Sequence, residues 1–237
     1  TKKMMMWFII FAVVMLFGGI TSALIVLKGK IMWMHVQVPP VFWGSILAIV
    51  LSSITMWMGI KSLRSGDIKK SMMMVALTFL MGIVFTVFQT SGWSQLSKKG
   101  MGYTQTINDK GMTVTKWNPL GKFTGEYGTD YWIEYKGQPL VLWNGQFFAN
   151  DDANHSRPKT TEVMSTFNAS GALISVLVYV HILHLVLGLI YLLVNLNRLR
   201  TRVLNQENWM SLYANGMYWH FMGILWTYLF LFIFYIY

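Results

Sequence analysis

The sequence predicts an all-α integral membrane protein, a five-transmembrane-helix bundle carrying a periplasmic insertion with a small β-hairpin. Three observations carry this expectation. Of the 237 residues, 54% are hydrophobic and only 12% are charged, about half the roughly 25% of charged residues usual in soluble domains. Five stretches lack Asp, Glu, Lys and Arg altogether, and each reaches the ~20 residues that a bilayer crossing requires. Basic residues gather beside these stretches, so the net charge of +10 reads as membrane-flanking and not as a nucleic-acid footprint. An ordinary water-soluble enzyme is thereby excluded. The chain has no cysteine, which removes disulfides, thiolate metal sites, iron–sulfur clusters and Cys nucleophiles.

In chain order, the predicted spans are Met4–Leu27, Val41–Ile60, Ser71–Trp93, Ala169–Leu196 and Trp209–Tyr237. Lys2 and Lys3 before the first span suggest a signal peptide. The apolar run is too long for an h-region, and no small-residue cleavage site precedes the next charges, so it is expected to stay as a helix. The last two spans exceed the minimum length, which allows tilt or extension past the bilayer. Three regions follow: residues 1–93 with helices one to three, 94–166 as an extracytoplasmic insertion, and 167–237 with helices four and five.

Orientation follows from Lys and Arg in the short connections. Lys2, Lys3, Lys61, Arg64, Lys69, Lys70, Arg198, Arg200 and Arg202 share one side, whereas Lys28 and Lys30 occupy the short loop on the other. The positive-inside rule then places the N-terminus in the cytoplasm and the C-terminus outside, in the periplasm of a bacterial inner (plasma) membrane. The long segment Ser94–Thr166, with nearly balanced charges, also falls outside. Within it Tyr131, Ile133 and Tyr135 alternate with more polar residues. Lys136-Gly137-Gln138-Pro139 supplies turn chemistry, and Leu140 and Leu142 resume the alternation. That pattern predicts a β-hairpin. Some 73 residues can form a cap but not an independent enzyme domain.

Chemistry-bearing side chains are few. No charged residue lies inside a predicted span, although such residues mark proton relays and ion paths in transporters. A pump or secondary transporter acting alone is therefore not expected. His181 and His184, spaced i and i+3, share a helix face, and His220 stands on the next helix. They could hold a haem between two helices, or hydrogen-bond within the bundle or to lipid headgroups. His35 and His155 lie in outside loops and are expected to be solvated, and no spacing suits zinc. Gly18/Ser22, Gly19/Ala23 and the series Gly44, Ala48, Ser52 form small-residue stripes, which serve helix packing or line a specific cleft. Trp33, Trp43, Trp93, Trp209, Tyr235 and Tyr237 sit near predicted helix ends, as interfacial belts do. The methionines read as core filler and not as a copper site.

Several stretches together resemble subunit III of the haem-copper cytochrome c oxidases, in its five-helix bacterial form. Met15-Leu16-Phe17-Gly18-Gly19 is similar to the family's M-F-F-G-G. Pro40, Phe42-Trp43, Ser52-Ser53 and Thr55 are similar to its F-W followed by S-S-x-T. Gly82, Phe85, Gln89 and Trp93 match G-x-x-F-x-x-x-Q-x-x-x-W. His181-Ile182-Leu183-His184 with Gly188 resembles H-G-L-H, and Tyr218-Trp219-His220-Phe221 with Trp226 resembles Y-W-H-F and its downstream Trp. The fragments stand in family order on the expected helices and cover all but the outer loop.

The resemblance implies a non-catalytic subunit of a proton-translocating terminal oxidase in aerobic respiration, with no haem or copper in this chain. Those cofactors belong to its partners, the catalytic subunit I and subunit II. It also implies bound phospholipid in a cleft, support of proton uptake, and no dealings with nucleic acid. Structural or lipid-cleft roles fall to Gly18, Gly19, Trp43, Gln89, Trp93, His181, His184, Tyr218, Trp219, His220 and Trp226. Three departures stand out: Val13 replaces a frequent Glu, Gly223 replaces a common Asp, and the 94–166 insertion is unusually long. The first two weigh against direct proton handling, and the third offers a contact surface for a respiratory supercomplex partner. Cytochrome c and quinol both remain open as electron donor. Two other readings compete: a haem-bearing anchor of a quinone-linked respiratory complex, and a purely structural membrane assembly subunit.

Overall fold

A computed structural model describes residues 2–29, 32–99, 106–108, 111–113 and 125–236. Five long helices dominate: α1 (Lys2–Lys28), α2 (Val41–Arg64), α3 (Ile68–Lys98), α4 (Thr160–Arg200) and α5 (Met210–Ile236). All five are long and apolar enough to cross a membrane, as the charge-free runs predict. Among the described residues seven short strands accompany them: β1 (Met32–Val36), β2 (Thr106–Asn108), β3 (Gly111–Thr113), β4 (Tyr131–Tyr135), β5 (Gln138–Pro139), β6 (Val141–Trp143) and β7 (Gln146–Phe148). Lys30 and Tyr237, which entered the sequence reading, lie outside the described residues.

Local chemistry sets the helix ends. Pro39 and Pro40 precede α2, where a missing N–H costs nothing. Helix α2 closes in a Schellman turn: the Gly66 N–H donates to the Leu63 carbonyl and the Asp67 N–H to that of Ser62. Gly66 has φ +88°, which glycine adopts without a Cβ penalty. The next residue starts α3, since the Asp67 carboxylate accepts the Lys70 N–H at 3.0 Å as an N-cap. Helix α4 repeats the closing turn with Arg202 in the left-handed position (φ 56°). Asn205 Oδ1 accepts the Glu207 and Asn208 N–H groups ahead of α5.

Helix α4 is the main departure from the predicted spans. It begins at Thr160 and runs 41 residues, about 60 Å at 1.5 Å per residue. It therefore outreaches a bilayer of about 40–45 Å including headgroups. The sequence reading starts it at Ala169 because Glu162 and a polar run precede that point. Polarity does not stop a helix that has left the lipid.

The chain divides into two compact units. The first comprises Thr1–Phe17, Val41–Gln89 and Tyr179–Phe232, and the second Gly18–Pro40, Thr90–Val178 and Ile233–Tyr237. In the first, glycines mark close helix approach. A Cβ on Gly82 would lie 2.8 Å from Leu189 and from Trp219, and one on Gly59 would lie 3.1 Å from Val75. The stripe Gly44, Ala48, Ser52 packs as expected, with Ala48 and Ser52 buried and Gly44 facing Phe88.

The second unit holds the β structure. The expected hairpin forms in part, as β4–β5 about a Lys136-Gly137 turn with both turn residues at positive φ; Gln138 and Pro139, expected in the turn, pair with β4, and Leu142 pairs with Phe147 instead. Its principal partner is β1, which pairs antiparallel along all of β4, from Met32↔Tyr135 to Val36↔Tyr131. The loop holding Lys28 and Lys30, treated in the sequence as a plain connection, thus contributes a strand. A second hairpin, β6–β7, turns on Asn144-Gly145 (φ 48° and 71°), the residue pair that type I′ turns select. Tyr131 and Ile133 of β4 and Phe147 and Phe148 of β7 are buried in this unit. The Tyr127 hydroxyl donates to the Leu140 carbonyl at 2.7 Å, and burial raises the phenol's pKa. Lys28 Nζ and Trp33 Nε1 donate to the Ile236 carbonyl at 3.0 and 2.8 Å. They satisfy acceptors that a helix C-terminus leaves unpaired.

Two sequence expectations are corrected here. His35 and His155 are half-buried against neighbours instead of freely solvated, and His35 lies in a strand, not a loop. His35 Nε2 lies 2.8 Å from Glu134 Oε2 and the ring stacks on Trp132, while His155 stacks on Trp143 and meets Phe148 edge-on. Cross-strand register places the Glu134 and Trp132 side chains beside His35, which periodicity alone does not reveal. The belt assignment fails for Trp33 and Trp93, which are 6% and 3% exposed. Trp43 (58%) and Tyr235 (84%) are exposed as a belt requires.

Candidate functional site

The motif residues of the first unit converge on a seam between α2 and α5. Two indoles seven residues apart, Trp219 and Trp226, face two serines seven residues apart, Ser52 and Ser45. Trp219 Nε1 donates to Ser52 Oγ at 3.0 Å, and Trp226 Nε1 to Ser45 Oγ at 3.2 Å. All four residues are at most 1% exposed. Each serine hydroxyl donates onward to a carbonyl of its own helix, Ile49 and Phe42. The two pairs are therefore fully hydrogen-bonded, as apolar surroundings demand. A heptad spacing on both antiparallel helices keeps both pairs on facing sides.

His181 lies against this seam. Its ring is 3% exposed and packed by Trp226 (5.1 Å), Phe85 (6.3 Å) and Phe17 (6.4 Å). Neither ring nitrogen has a hydrogen-bond partner among the described residues, and the same holds for the Gln89 amide. His184 differs: its Nδ1–H donates to the Val180 carbonyl at 2.7 Å, and the Tyr218 hydroxyl donates to the His184 carbonyl at 2.9 Å. Gly188 lets Tyr218 approach, since a Cβ there would lie 3.1 Å from its ring. His220 lines cavities on the outer side of α5. The three histidines thus occupy three different environments. No group of three metal-ligating side chains occurs among the described residues.

The remaining motif residues scatter. Gly18 and Gly19 are exposed, and a side chain at either would meet nothing within 4 Å. Their stripe with Ser22 and Ala23 does not pack on another described helix of this chain. Trp43 meets Phe230 edge-on at 5.2 Å, and Trp93 is buried in the second unit. Val13 is buried and apolar, and Gly223 faces Ile49 across the α2–α5 contact.

The sequence reading passes over one polar cluster. Ser211 donates to Asn195 Oδ1 at 3.0 Å and accepts from Arg198 at 3.2 Å, and Tyr191 donates to the Ser211 carbonyl at 3.1 Å. The signal was present as Asn195 and Ser211, polar residues in the apolar flanks of α4 and α5. Their pairing needs the helix–helix geometry.

Fold and site together define a multi-pass helical membrane protein whose buried polar groups serve mainly to join helices. Residues 161–237 match the family described as cytochrome c oxidase subunit III. Within this chain a 54-residue stretch is 33% identical to cytochrome c oxidase subunit 3 of Rhipicephalus sanguineus, covering 23% of this chain and 21% of that relative. The chain thus spans about a fifth of the relative's length in that match. The motifs and these matches agree in pointing the same way: over its fourth and fifth helices the chain is similar to subunit III of cytochrome c oxidase.

Proposed function

We propose that the whole chain is a non-catalytic subunit III of a proton-translocating haem-copper oxidase, packed against subunits I and II in a bacterial inner membrane. Its N-terminus is cytoplasmic, its 94–166 insertion is extracytoplasmic and offers a surface to a supercomplex partner, and it binds phospholipid. The observation that carries this reading is the seam Ser45–Trp226 and Ser52–Trp219. The residues resembling the family's second and fifth helices bond to one another, and no group of three metal-ligating side chains stands there among the described residues. Support of proton uptake would then be indirect, by steadying the catalytic neighbour, because Val13 and Gly223 cannot titrate. Purifying the tagged chain from its native membrane tests this. A large haem- and copper-bearing subunit should co-migrate on native gels, and its consistent absence would refute the proposal.

One observation favours the haem-anchor reading, namely the two unpartnered nitrogens of His181. The surroundings do not fit a haem. Three aromatic rings within 6.4 Å of the imidazole centroid occupy the space a porphyrin would need. His184 spends its Nδ1 on its own helix.

A further inference from the structure

Four hydrogen-bonding atoms lie buried on two neighbouring helices, α3 and α4. His181 is 3% exposed and Gln89 1%. Neither ring nitrogen of the histidine, and neither the oxygen nor the nitrogen of the glutamine amide, has a partner among the described residues. A neutral imidazole carries one donor and one acceptor, and a primary amide carries two donors and an acceptor. Apolar surroundings make such groups costly to leave unpaired. The neighbouring rings offer no remedy. Trp226 spends its Nε1–H on Ser45, and Phe85 and Phe17, which close two other sides of the imidazole, have no polar atom to give.

Packing brings these two side chains to one height. A Cβ on Gly82 would lie 2.8 Å from Leu189, and the Phe85 and His181 ring centroids are 6.3 Å apart. The two helices therefore run antiparallel, with α4 numbers falling as α3 numbers rise. From Gly82 to Gln89 α3 rises about 10 Å, and from Leu189 back to His181 α4 covers about 12 Å, at 1.5 Å per residue. Gln89 also stands one turn beyond Phe85 on the same helix face, and Phe85 already touches His181. The amide and the imidazole are thus set against each other without a direct bond, since all four atoms lack a partner. A single molecule that both donates and accepts would satisfy them.

We infer that α3 and α4 hold one ordered water between the His181 imidazole and the Gln89 amide. Buried waters typically make about three hydrogen bonds to polar groups that the fold itself leaves unpaired, and they bridge nearly as well as a direct bond. The aromatic rings around His181 exclude anything much larger. The water joins the third helix to the fourth, as the serine–indole pairs join the second to the fifth. It gives both ring nitrogens a role that needs neither a metal nor a proton path, and it does not depend on the oxidase reading.

The test is a cryo-electron microscopy map of the protein as it assembles in its native membrane, at a resolution that shows ordered water elsewhere in the bundle. A peak should lie about 2.7–3.2 Å from a His181 ring nitrogen and from a Gln89 amide atom. Gln89→Leu should remove the peak and lower the Tm. Adding His181→Phe should cost less than the sum of the two separate Tm losses, because the double variant leaves no orphaned group. No peak between the side chains, a direct His181–Gln89 hydrogen bond, or a partner subunit's group bonded to either would overturn the inference. A peak only about 2.0–2.1 Å from the ring nitrogen would mark a metal, and additive Tm losses would deny the bridge; both would likewise overturn it. The wild-type map decides the matter even if a variant fails to assemble.

Discussion

At the residue scale, Ser52 and Ser45 show why a small polar side chain belongs in an apolar helix. Each accepts an indole N–H that would otherwise be buried without a partner. Ser52→Ala removes the acceptor and leaves Trp219 unsatisfied, an imbalance worth about 1–3 kcal/mol in protein interiors and about 0.6–2 kcal/mol between membrane helices. Thermal unfolding in detergent should therefore show a lower Tm for Ser52→Ala. Combining it with Trp219→Phe should cost less than the sum of the single changes, because the second change removes the orphaned donor. Full additivity would mean that the 3.0 Å contact carries no coupling. His184→Gln should preserve turnover and the proton-to-electron ratio in reconstituted vesicles, because its described contacts are structural. A clear drop in an intact complex would show that the subunit takes part in proton transfer.

At the element scale, two devices set the packing: glycines between helices and buried side chains within the sheet. Gly82→Ala places a Cβ 2.8 Å from both Leu189 and Trp219, which must give way, and should destabilise the bundle by about 1–3 kcal/mol, the usual cost of overpacking. The sheet answers to alkaline pH through Tyr127. Its phenol is held neutral by burial, so its folded pKa lies above the ordinary 10.0. The unfolded chain then loses this proton first, and the stabilisation is complete below pH 10 and is lost as pH rises toward the folded pKa. Near-ultraviolet melting between pH 9 and 11 should show this loss in the wild type and less of it in Tyr127→Phe. Equal slopes would remove Tyr127 as the cause. Element types were largely legible in the sequence, because charge-free runs and a Lys136-Gly137 turn are local signals. Strand β1 and the start of α4 were not. The partner of Met32–Val36 stands about 100 residues away, and the first turns of α4 are polar because they lie beyond the apolar span. The Asn144-Gly145 hairpin is itself a local signal, carried by its dipeptide.

At the scale of the whole molecule, the proposed orientation rests on charge asymmetry, and cysteine labelling can test it in a chain that has no native thiol. Cysteines at Ser65 and Thr201 should resist an impermeant reagent in intact cells, whereas one at the exposed Asn150 should react. The reverse pattern would invert the topology. The candidate site was legible as motifs but not as geometry. His181, His184 and His220 read as one cluster in the sequence, yet each has its own surroundings: an aromatic cage, a carbonyl of its own helix and an open groove. The central claim is that the motif residues hold helices together and hold no cofactor. The most direct measurement is the haem-to-protein ratio of the purified complex carrying His181→Ala, alongside the wild type. An unchanged ratio is predicted, with at most a lowered Tm from the disturbed cage. Loss of one haem per complex would contradict the account and make His181 a ligand.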